Sequence, residues 1–172
     1  MAKSDSFFLR ANLLVDNTGT FQQSEIDLGA YVDALGKSVL RIHNVAVSIT
    51  DGVGNAMQVA AASDSAACQY QLTTQSQADI VLASDKSVIA TGLLIGVNQF
   101  SSDEFPQLYH DADVLPQLWT NGYLVATESI YLGGEGSSGW VAGDNVTISV
   151  VIECTVETMS HNAAMALALS QQ

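Results

Sequence analysis

The sequence predicts an all-β protein: an antiparallel two-sheet sandwich of jelly-roll type, about eight strands, with a short C-terminal helix. Three observations carry this. Apolar and polar residues alternate with a period of two in segment after segment, most plainly over 145–159 (NVTISVVIECTVETM), as a strand with one face on a core requires. Turn chemistry recurs between the segments, as at Asp16-Asn17-Thr18-Gly19 and Asp51-Gly52. One minor helix accompanies the strands, which fits a sandwich rather than a βαβ fold.

The elements follow in order. Residues 6–15 (SFFLRANLLV) open the series and 22–28 form a short strand. Residues 29–37, bounded by Gly29 and Gly36, read as a helical turn or irregular crossover. The run 38–50 (SVLRIHNVAVSIT) changes phase midway: Leu40 and Ile42 share one parity, and Val45, Val47 and Ile49 take the other. A bulge near His43-Asn44 would return both sets to one core. Residues 53–66 read as a surface loop with short strand pairing as an option, and Cys68, Tyr70 and Leu72 mark the next strand. Residues 79–83 (DIVLA) and 87–97 (SVIATGLLIGV) read as two more. The second is apolar on both faces and therefore central or in contact with another body.

Residues 98–121 hold both prolines, Pro106 and Pro116, and read as a long aromatic-rich connection; such connections are usually functional or buried at an interface. The strands 122–132 and 145–159, joined by a Gly/Ser loop, complete the set. In 145–159 the even positions Val146 to Val156 supply the apolar face. The tail 160–172 is Ala/Leu-rich, with Ser160 or Asn162 as N-cap of the helix.

A chain of 172 residues fits one domain spanning 1–172, with a core that needs no disulfide staple. Cys68 and Cys154 fall on apolar strand faces and read as buried free thiols, a single bridge being the alternative. Five Lys and Arg against eighteen Asp and Glu leave a net charge of −13. Such a surface repels phosphate, which argues against direct nucleic-acid binding, and it repels itself unless salt or divalent cations screen it. Charged residues make up only 13% of the chain, against about a quarter in ordinary soluble domains, so much of the surface is expected to lie against other subunits, a monomer coated with Ser, Thr and Gln being the alternative. No apolar run is long enough for a membrane span, and the N-terminus, broken by Arg10, Asn12 and Asp16, is not patterned as a signal peptide.

Motifs of chemistry are weak throughout. Gly134-Glu135-Gly136-Ser137-Ser138-Gly139 satisfies G-x-G-x-x-G in form, but a strand follows where a dinucleotide site needs a helix, so it reads as a flexible hairpin loop. His43, His110 and His161 lack the clustered spacing of a cupin metal site. No G-x-S-x-G, P-loop or Cys-His nucleophile pattern is present, and enzyme activity is not expected. Residues 103–113 gather Asp103, Glu104, His110, Asp111 and Asp113. They read as a solvated acidic loop, with Ca²⁺ held by Asp103, Asp111 and Asp113 as the alternative, although the EF-hand pattern is missing. The interface candidates are large aromatics in irregular segments: Phe105, Tyr109 and Trp119 in the long connection, and Trp140 beside the glycine turn.

With the long strands, the phase-switched segment EIDLGAYVDALGKSVLRIHNVAV (25–47), the aromatic connection and the helical tail together, the chain resembles the single-jelly-roll viral capsid proteins, in particular the small major capsid proteins of membrane-containing icosahedral viruses. The resemblance covers the layout of the whole chain and rests on pattern, not on a diagnostic motif. It implies an eight-strand sandwich packed with its own copies, and with other capsid proteins, into capsomers and the shell of a virion. It carries over no catalytic residues. The basic arm with which capsid proteins hold nucleic acid directly is missing here, which implies that the genome is neutralised by an internal membrane, other proteins or cations. The rival expectation is a β-sandwich carbohydrate-binding or adhesive module using the 98–121 connection.

Overall fold

The computed structural model describes residues 4–33, 37–61, 63–98, 107–141 and 145–171; at 107, 112 and 113 it describes the backbone. In chain order the strands are β1 (Phe7–Val15), β2 (Gln22–Asp27), β3 (Ser38–Thr50), β4 (Asp64–Thr73), β5 (Val88–Asn98), β6 (Gln107–Val114), β7 (Tyr123–Val125), β8 (Ser129–Gly136) and β9 (Val146–Thr158), followed by helix α1 (His161–Ser170). One sheet has the order β1-β9-β3-β7 and the other β2-β8-β4-β5-β6.

The pairings are nested. β1 pairs with β9, β2 with β8, β3 with β7 and β4 with β5, all antiparallel. The chain is thus one long hairpin turned at β4–β5 and rolled so that its rungs alternate between two sheets, which is the jelly roll the alternating pattern predicts. β6 stands outside this nest and adds to the far side of β5. It is the ninth strand, and it corrects the reading of 98–121 as wholly irregular.

β9 shows why the pattern works. It lies between β1 and β3, and Val146, Ile148, Val150, Ile152 and Cys154 point into the core shared by both sheets. Past Cys154 the alternation reverses: Thr155 and Glu157 are buried, while Val156 is half-buried. The cause is α1, whose Ala164 and Ala168 pack with Val39 and Ala126, with Leu124, Met159 and Leu167 alongside. Val39 is the cross-strand partner of Glu157, so both belong to the face that the helix region covers. Two-fold periodicity cannot see a cover supplied by a later segment.

The β3 bulge is present. Ile42 opposes Cys154, Asn44 opposes Glu153, and His43 is the extra residue; Leu40, Ile42 and Val45 are then all buried. His43 Nε2 lies 2.9 Å from Thr155 Oγ1.

Other expectations change. Residues 79–83 form no strand; the Gln71 side chain accepts from the Val81 N–H and donates to the Asp79 carbonyl, which holds this segment against the sheet. The run 122–132 divides into β7 and β8, which belong to different sheets. Of the Gly/Ser run, Gly134 to Gly136 lie within β8 together with Gly133, and only 137–139 form a turn, which closes no hairpin because β8 and β9 belong to different sheets. A Cβ at Gly133 would meet the Phe21 ring at 2.6 Å, so glycine serves close packing there rather than flexibility. Residues 53–66 are not all surface: Met57 and Val59 are core, and Val59 bridges to Trp140. Cys68 and Cys154 are buried and free.

Candidate assembly surfaces

The outer face of the five-stranded sheet carries the first apolar surface. Strand register sets Ala67, Ile95 and Tyr109 in one row across β4, β5 and β6. All three are exposed, and Leu93 and Val97 flank them half-buried. The sequence signal for this patch was the apolar character of both faces of 87–97. One face of β5 serves the core, and the other is left to solvent. Tyr109 is 59% exposed, and its hydroxyl donates to Asp111 Oδ2 at 3.2 Å.

A second surface lies at the corner before β7. A 3-10 turn at Pro116–Leu118 exposes Leu118 and Trp119, and the Trp119 ring sits 6.1 Å from that of Tyr123. The Gln117 side chain accepts from the Val45 N–H and donates to the Val45 carbonyl, both at 3.1 Å, which fixes the corner to β3 just past its bulge. Beside it lies a cleft of about 510 Å³ lined by Arg41, Lys86, Asn121, Tyr123, Leu124 and Gln171 among others. Burial pushes the Tyr123 phenol up, opposed by a hydrogen bond with Gln171.

The third surface is α1. Ser160 caps it, its Oγ accepting from the Ala163 N–H. At the other end the Gln171 side chain accepts from the Ala126 N–H and donates to the Leu124 carbonyl, while its backbone carbonyl accepts from Thr74 Oγ1 and Gln75 Nε2. The helix carries no Asp, Glu, Lys or Arg, and its outward side presents Met165, Ala166 and Leu169. Between the exposed polar residues His161, Asn162 and Ser170 at its two ends, the stretch 163–169 is apolar all round, as a helix built for burial on both sides requires. The sequence reading missed this stripe because the residues of its two sides are alike.

The electrostatic groups are structural. Arg41 meets Glu157 through two parallel hydrogen bonds, which hold its guanidinium more firmly protonated, burial opposing; Arg41 also donates to the Asn121 carbonyl. At Asp51 burial works against ionisation, yet donors from Asn55, Val53 and Gly54 outweigh it and hold the carboxyl below its usual range. Ser87 does the same for Asp85.

The predicted site residues do not form one cluster. Tyr109 lies on β6 of the five-stranded sheet, and Trp119 at the corner leading into β7 of the other. Trp140 is corrected outright. It is 1% exposed, packs over Gly96, and donates its indole N–H to the Ala67 carbonyl, so it is a core residue with no surface to offer a partner. Phe105 lies outside the described residues. Of the calcium candidates, Asp103 and the side chain of Asp113 also lie outside them, and Asp111 is exposed on β6. Among the described residues, no three His, Cys, Asp or Glu side chains gather as a metal-binding group, and no helix is long and apolar enough to cross a membrane. The sequence matches no protein-family model, and no curated protein matches it.

Proposed function

We propose that this chain is a structural subunit of an icosahedral virus capsid, which self-assembles through its β-sandwich flanks and loops into capsomers and the shell of a virion. One observation carries the reading: exposed apolar residues occur on several separate elements, not in one pocket. Ile95 and Tyr109 lie on the five-stranded sheet, Leu118 and Trp119 at the corner, and Met165 and Leu169 on α1. A single ligand covers one site, whereas a shell subunit has neighbours on several sides. The jelly-roll strand order supports the reading as an analogy of fold. With a net charge of −13, copies need salt or cations to approach, and the genome needs another neutraliser.

The test is negative-stain microscopy and size-exclusion chromatography of purified protein in high salt. Rings or shells are the expected result. A strict monomer at high concentration overturns the proposal.

The Trp119–Tyr123 pair beside the cleft favours a second reading, a carbohydrate-binding or adhesive module. Glycan-array binding abolished by Trp119→Ala, in a protein that stays monomeric, would establish it in place of the first.

A further inference from the structure

Among the described residues the two sheets end in four edge strands, β1, β7, β2 and β6. Exposed edges invite pairing with another chain, and proteins commonly guard them with charge or keep them short. Three edges here are guarded in that way. β7 has three residues, β2 carries Glu25 and Asp27, and β6 carries Asp111 and Asp113. The exception is β1, FFLRANLLV: nine residues with no acid, no proline and no bulge in its pairing with β9. In a chain of net charge −13, it is the one long edge along which a second copy meets no carboxylate on the strand itself, β7 being free of acids but only three residues long.

The geometry points to antiparallel pairing of β1 with β1 of a second copy, across a two-fold axis at Ala11. The inference rests on the self-association reading above and names one of its contacts. The strand is self-complementary about that residue. Centring on Ala11 sets Phe7 opposite Val15, Phe8 opposite Leu14, Leu9 opposite Leu13 and Arg10 opposite Asn12. Apolar residues meet apolar residues in every pair but the last, and the smallest side chain falls on the axis.

Exposure agrees with this pattern. Phe8 and Leu14, both outward, are 54% and 50% exposed, and Phe7, Leu9 and Ala11 on the inward side are only half-buried. Pairing would cover each from the open edge. Arg10 lies over the Phe8 ring at 5.8 Å, so the one charge on the strand sits against an aromatic face. Opposed residues have the same parity, as a two-fold perpendicular to a continuous sheet demands. The contact is isologous and turns two four-stranded sheets into one of eight (4 + 4).

The test is oxidative cross-linking of Ala11→Cys. On the axis the two Cα atoms would lie about 4.5–5.5 Å apart, within the roughly 4.4–6.8 Å that a disulfide spans. Leu14→Cys is the control, because its two copies would lie about 20 Å apart along the strands. The native thiols are buried and do not compete. A disulfide-linked dimer is expected from Ala11→Cys and not from Leu14→Cys. The double variant Phe8→Glu, Leu14→Glu should remove this contact and lower the assembled mass while circular dichroism stays unchanged. Equal cross-linking of the two cysteine variants, or none from Ala11→Cys in a protein that still assembles, overturns the β1 contact and leaves the shell reading standing. Monomers of 18.1 kDa under every condition overturn both.

Discussion

Arg41 and Glu157 form a two-pronged ion pair across β3 and β9, with Nε to Oε1 at 2.7 Å and Nη2 to Oε2 at 2.8 Å. Arg41, one of only five Lys and Arg in the chain, is half-buried and also lines the cleft beside β7, whereas Glu157 is buried. Arg41→Met leaves the buried Glu157 carboxylate without its partner, a change that costs about 3–5 kcal/mol, whereas Glu157→Gln should cost less, because Arg41 faces the cleft and keeps the Asn121 carbonyl. Chemical denaturation should show that loss. It should persist at high salt, since a buried pair is poorly screened.

The two tryptophans should separate stability from association. Trp140→Ala empties a core position and should cost about 3–5 kcal/mol. Trp119→Ala removes an exposed ring and should change stability by no more than about 0.5 kcal/mol, while weakening self-association. Melting curves and sedimentation on both variants check the pair of outcomes.

At Gly92 both Tyr70 and the backbone of β6 approach β5 closely. A Cβ there would lie 2.5 Å from the Asp111 carbonyl oxygen and 2.7 Å from the Tyr70 hydroxyl oxygen. Gly92→Ala should therefore cost about 1–3 kcal/mol as an overpacking change. Amide exchange should quicken first in β6, the strand that has to move.

Burial, with Glu135 nearby, pushes the Cys68 thiol up to about 12; burial, with Glu153 nearby, does the same for Cys154. Above the ordinary value of 9.0 the unfolded chain releases a proton that the folded chain keeps. The unfolded state then binds fewer protons, so stability falls as pH rises from about 9 to about 12, by up to ~1.4 kcal/mol per pH unit for Cys68. Cys154 acts in the same sense. Denaturant melts across that range should show the slope, and Cys68→Ala should flatten it. At neutral pH both thiols should resist maleimide until the protein unfolds.

The sequence by itself determined the fold class, because two-fold alternation is a local property and each strand carries its own record of which side faces the core. The β3 bulge was legible for the same reason, as a phase change between Ile42 and Val45. The Ser160 cap and the tail helix were equally local. Only the tertiary structure decided what depends on contacts between distant segments. It placed β6 on β5, turned Trp140 inward over Gly96, made Glu157 a buried partner of Arg41, and left Ile95, Leu169 and Phe8 uncovered. Trp119 and Trp140 look alike in sequence, each a large aromatic in an irregular stretch. Their fates differ because a side chain's environment is set by what the rest of the chain lays over it, and in a jelly roll the covering strand comes from the opposite end of the hairpin.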